Sequence, residues 1–126
     1  MADHCWTEDD DLVAFYLSNH DHTARFLGVG EATIAKALSR RPPPKGCRAV
    51  DMPVGSLRMR IRNFDYLAGR PNGLPNYATQ SRRIHEQYKN STVIELRPTV
   101  VRLLGLPIRD SVEQRFKEFC DRFSRQ

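Results

Sequence analysis

Apolar residues recur along most of this chain at helical spacing, and no segment sustains the alternation of a half-buried strand. Leu12, Val13, Tyr16 and Leu17 form one stripe, with Phe15 at its margin, and predict a first helix ending near Leu17. Thr7 is placed to cap it, Glu8 to Asp11 lie at the positive end of its dipole, and Trp6 stands ahead of the cap as a hydrophobic staple. A polar break over 18–22 follows, then a short predicted helix over 24–27 stopped by Gly28. Ile34, Ala35 and Leu38 share one side of a helix over roughly 31–40. Leu57, Ile61 and Phe64 fall in a narrow sector of the next, which starts at Ser56 as N-cap behind Gly55 and runs to about Tyr66.

Between these two helices the prolines of Arg41-Pro42-Pro43-Pro44-Lys45-Gly46 remove donors and hold the chain extended, so the connection is a loop. It acts either as a stiff spacer or as a grip on phosphate. Residues 68–76 are crowded with turn formers. Helical signals return over 79–88, where Ile84 and Tyr88 are the apolar pair, over about 93–104, and over about 111–123. In the last, Val112, Phe116, Phe119, Cys120 and Phe123 recur at helical spacing and suit a core or a dimer contact. The expected architecture is mostly α, a compact bundle of about five to six helices containing a helix-turn-helix-like unit, in one domain over residues 1–126.

Length supports that picture, because 126 residues make one domain able to bury a core without metal or disulfides. No apolar run approaches the roughly 18 residues of a membrane span, and no signal-peptide pattern opens the chain. A soluble, cytoplasmic protein is expected. Cys5, Cys47 and Cys120 are odd in number and scattered, which fits a reducing compartment.

Charge then singles out the middle of the chain. The net charge is +5, yet residues 1–22 carry six acids and no Lys or Arg. Over 40–70, Arg40, Arg41, Lys45, Arg48, Arg58, Arg60, Arg62 and Arg70 oppose only Asp51 and Asp65. That imbalance predicts a positive surface facing a polyanion, with the acidic end turned away from it. The helix behind Ser56 turns Arg58, Met59, Arg62, Asn63 and Tyr66 outward, the layout of a DNA recognition helix, although an ordinary amphipathic helix with a solvated basic face has the same pattern. Arginine suits guanine edges and asparagine suits adenine, so Arg58, Arg62 and Asn63 are the candidate base readers. Lys45, Arg48, Arg60, Arg82 and Arg83 are assigned to phosphates, with Ser56, Tyr66 and Gln80 completing the candidate surface.

Catalytic and metal chemistry find little footing. Asn19-His20-Asp21-His22 lacks a surrounding ββα pattern or cysteine-pair spacing and reads as a polar connection. His4, Cys5 and His85 have no zinc spacing. Gly28-Val29-Gly30 lacks the strand of a dinucleotide loop, and neither a nucleophile elbow nor a P-loop is present. No enzyme activity, metal or cofactor is expected.

The Trp6-Thr7-Glu8 start, the string Gly55-Ser56-Leu57-Arg58-Met59-Arg60-Ile61-Arg62-Asn63-Phe64, and Gly73-Leu74-Pro75-Asn76-Tyr77 together resemble the N-terminal helical module that precedes the HNH nuclease domain in many bacterial restriction-type endonucleases. The similarity covers roughly residues 6–88, and the best marker is Gly-Ser-aliphatic-x-Met-basic-aliphatic-x-Asn-Phe. The resemblance implies DNA contact through Ser56, Arg58, Arg60, Arg62 and Asn63. About forty residues follow it here, too few for an HNH domain, so residues 92–126 are expected to be helices only. The functional expectation is a duplex DNA-binding protein, either a regulator or a DNA-targeting subunit of a defence or mobile-element system, nucleoid-associated when bound. A homodimer, or a protein partner on the last helix, is compatible with it. The alternatives are a non-catalytic protein-interaction subunit and an RNA-binding protein.

Overall fold

Six helices make up the computed structural model, which describes residues 4–124: α1 Glu8–Asn19, α2 Glu31–Ser39, α3 Val54–Leu67, α4 Thr79–Tyr88, α5 Val93–Leu104 and α6 Asp110–Ser124. No strand occurs among the described residues. None of the helices is long and apolar enough to cross a membrane.

α1 is the hub. Thr7 caps it and forms a capping box with Asp10, as its position ahead of four acids implies. Every residue from Asp10 to Ser18 is buried, because α3, α4 and α5 all pack on this helix. A helix enclosed on all sides needs no single apolar stripe. Val13, Phe15, Tyr16 and Leu17 meet Ile34, Leu38, Leu57, Phe64, Ile84, Leu96 and Val100 in one core. Phe15 and Phe64 cross edge to face with centroids 5.7 Å apart.

Several local expectations give way to the tertiary structure. The expected helix over 24–27 does not form, and residues 25–28 are a turn. The Asp21 carboxylate accepts from the amides of Arg25 and Phe26 and from the Tyr16 hydroxyl, which stabilises a non-helical path. α3 begins at Val54 behind Pro53, whose carbonyl accepts from the amides of Ser56 and Leu57. Proline supplies the extended entry dihedrals, so Ser56 lies inside the first turn and caps nothing. Trp6 does not staple α1, because the facing position one turn in is Asp11.

The cysteine expectation also fails for one pair. Cys5 and Cys47 are joined in a disulfide, which ties the segment ahead of α1 to the proline-rich connection, while Cys120 is free. The same connection is held by Arg41, which donates to the Leu103 carbonyl and pairs with Asp9, and by the Met52 amide on the Ser39 hydroxyl.

α6 lies outermost. Phe116 and Phe119 turn inward onto Phe26, with centroids 5.3 and 5.0 Å away, and Val112 packs on Gly28. Gly28 has φ +71° and a Cβ there would lie 2.6 Å from Val112 Cγ2, so only glycine fits this approach. Arg97 of α5 fixes α6 through a paired contact with Glu113 and donates twice to the Phe26 carbonyl.

Candidate nucleic-acid interface

α3 presents three different flanks. Leu57, Ile61 and Phe64 enter the core. On one side Arg60 points inward: its Nε and Nη2 donate to the two Asp11 oxygens at 2.6 and 2.9 Å, and its guanidinium lies 4.6 Å from the Trp6 ring centroid. Asp11, fully buried, also accepts from Gln80 Nε2 at 2.7 Å and from the Ser81 hydroxyl at 3.3 Å, while Gln80 donates in addition to the Trp6 carbonyl. A buried carboxylate demands this many donors. Arg60 and Gln80, expected to contact DNA, are therefore structural: they satisfy Asp11.

Asn63 is corrected in the same way. It is buried, and its carboxamide donates to the Leu74 carbonyl at 2.9 Å rather than facing outward. The Leu74 amide in turn donates to the Arg62 carbonyl at 3.0 Å, and Arg62 donates from Nε and Nη2 to the Asn72 carbonyl. Gly73 passes so close to the Tyr66 backbone that a Cβ would come within 2.5 Å of the Tyr66 Cα. The loop over 70–77 thus lies across the solvent side of the second half of α3. Tyr66 stays half-exposed beside Tyr77, with ring centroids 6.0 Å apart. Asn63 of the marker string, together with Gly73 and Leu74, is accordingly a latch between helix and loop.

The first half of α3 is bare. Gly55, Arg58 and Met59 are exposed, and Met59, at 60 %, is the most exposed large apolar residue described. Arg58 donates from Nε to Glu31 Oε2 at 3.1 Å across to the start of α2. An open cleft of about 200 Å³ runs along this flank, lined by His22, Glu31, Arg58, Ile61, Arg62 and Asp65. Asp65 accepts from the Ser18 hydroxyl at 2.6 Å and from Arg70 at 3.0 Å, and His22 Nε2 lies 3.5 Å from it.

The charge map differs from the expected one because the acidic start of α1 does not face away. Asp9 meets Arg41 and Asp11 meets Arg60, while Glu31 meets Arg58 and Asp65 meets Arg70. Of the eight cations over 40–70, Arg40, Lys45, Arg48 and Arg62 have no ion-pair partner among the described residues. Arg40, Lys45 and Arg48 belong to the connection that leads into α3 and are exposed. Arg82 and Arg83 are exposed on α4, the helix whose Gln80 meets the Arg60 flank, and Arg83 lies 4.0 Å from Glu8. The structure therefore brings Arg58, Met59 and Arg62 together, places Lys45 and Arg48 on the adjoining connection, and leaves Arg82 and Arg83 apart.

Two histidines sit away from this surface, beside Phe15. His20 and His85 each bury one ring nitrogen without a partner among the described residues. Burial holds both below the ordinary value of 6.5, with Arg70 adding to the effect at His20. Burial likewise pushes the Tyr16 phenol far above its usual range, helped by Asp21.

Comparison with protein-family models, with curated proteins and with solved structures finds no match to this chain.

Proposed function

We propose that the chain binds duplex DNA through the first two turns of α3, without acting on it chemically. The observation that carries this reading is the bare strip Gly55-Arg58-Met59, continued by Arg62, while the connection leading into α3 carries the exposed Arg40, Lys45 and Arg48, which have no ion-pair partner among the described residues. In a helix-turn-helix arrangement the N-terminal residues of the second helix approach the base edges. α2 and α3 pack on each other and serve as that pair, with residues 40–53 as an enlarged turn. The loop over 70–77 limits insertion to the N-terminal half of α3. Arg58 and Met59 are therefore the residues given to base edges, and Lys45, Arg48 and Arg62 those given to phosphate.

Together with the likeness to the helical module of HNH restriction-type endonucleases, this supports a DNA-targeting role, in a defence or mobile-element system or in regulation, in the cytoplasm or on the nucleoid. A second copy or a protein partner is accommodated at Phe123, which is half-exposed at the end of α6.

The test is fluorescence anisotropy on pooled random duplexes across a salt series. With half of the central cations already paired, about three to five phosphate contacts are expected, and the slope of log affinity against log salt should be about −3 to −4.5. Lys45→Ala and Arg48→Ala should each flatten that slope by about one contact. Salt-independent binding, or none, refutes the reading.

A further inference from the structure

The two arginines beside the cleft are held by different elements, Arg62 by the loop over 70–77 and Arg58 by the start of α2. Arg62 gives its Nε hydrogen and one Nη2 hydrogen to the Asn72 carbonyl, which holds its guanidinium against the loop over 70–77. Arg58 is tied only through Nε, to Glu31, and neither of its terminal nitrogens has a partner among the described residues. Its side chain remains 63 % exposed. Fixing Nε stiffens the far end of a flexible side chain and presents Nη1 and Nη2 together as a fork. Guanine offers two acceptors, O6 and N7, on its major-groove edge, and a fork of two donors matches them.

We propose that Glu31 is a positioning residue that aims Arg58 at a guanine, so that α2 sets the base preference of α3. This rests on the reading of α3 as the DNA-contacting helix. It also accounts for a carboxylate at the edge of a surface meant for a polyanion: Glu31 weakens attraction to phosphate in general and strengthens one base contact. A carboxylate that merely screened Arg58 would lower affinity for every sequence alike. The two roles separate experimentally, because a carboxamide keeps the acceptor and removes the charge, while a methyl group removes both.

The experiment selects preferred sequences from a duplex pool with a randomised central segment, using the full chain and its Arg58→Ala, Glu31→Gln and Glu31→Ala variants, with anisotropy on a random duplex as a parallel reading and thermal melts to confirm folding. The parent should select a guanine at one position, by roughly 5- to 150-fold over other bases, and Arg58→Ala should lose that preference. Glu31→Ala should lower it several-fold, the most that an exposed pair can contribute, while binding the random duplex more tightly than the parent. Glu31→Gln should show the same tighter binding and keep the guanine. A guanine preference unchanged in Glu31→Ala overturns the proposal, as does a parent that binds duplex with no guanine position at all. A parent that fails to bind any duplex instead overturns the DNA-binding reading on which the proposal stands.

Discussion

Arg60 and Arg58 are two residues apart and do opposite work. Arg60→Ala would strip Asp11 of its two strongest donors while leaving the carboxylate buried. Breaking such a pair costs about 3–5 kcal/mol, so this variant should melt markedly early in circular dichroism. Arg58→Ala breaks only an exposed pair worth about 0–1 kcal/mol and should melt like the parent. Similar melting of the two would contradict the assignment of Arg60 to the interior. Histidine gives the residue-scale pH dependence. Because folding keeps His20 and His85 below 6.5, the unfolded chain binds protons that the folded chain refuses once the pH drops under that value. Stability from these two groups is complete above about 6.5 and is lost as pH falls toward their folded values. Melting temperature should therefore decline from pH 7.5 to 5.5, and a His20→Gln, His85→Gln double variant should show a shallower decline over the same window.

At the scale of elements, the latch between α3 and the loop over 70–77 decides how much of the helix is available. Asn63→Ala removes the donor to the Leu74 carbonyl and should cost about 1–3 kcal/mol, and Gly73→Ala forces the loop off the Tyr66 backbone. Both should raise hydrogen exchange across 70–77 while the core of α1 stays protected. Unchanged exchange in that loop would show that the latch contributes nothing. Helices were legible where apolar periodicity met a local cause: Thr7 capping α1, Gly105 in the left-handed conformation closing α5, and the prolines over 42–44 that bar helix between α2 and α3. The stretch over 24–27 was not, since its turns depend on Asp21 facing two amides and a phenol that only folding brings together.

For the whole molecule, the disulfide between Cys5 and Cys47 closes the segment ahead of α1 onto the proline-rich connection across 42 positions of sequence. The chain-entropy model gives about 4 kcal/mol for a loop of this length, so Cys5→Ser should lower the denaturant midpoint substantially, and a reducing agent should do the same to the parent and nothing further to the variant. Equal midpoints with and without reductant would show that the bond adds no stability. The same closure brings basic and acidic stretches together. Asp9 reaches Arg41 and Asp11 reaches Arg60, so of the cations over 40–70 only Arg40, Lys45, Arg48 and Arg62 are without an ion-pair partner among the described residues.

Sequence alone determined the helical architecture and the position of most of the apolar faces, because periodicity, caps and prolines act within a turn or two of the chain. Tertiary structure decided which polar residues face water. Arg60, Asn63 and Gln80 look like surface residues in any helical projection, yet each lies next to a buried acceptor contributed by a distant segment: Asp11, the Leu74 carbonyl and the Trp6 carbonyl. A side chain's sector on its own helix is a local property. Whether that sector meets solvent or an unsatisfied carboxylate depends on the neighbouring element, and burying an unpaired charge costs enough to turn an arginine inward.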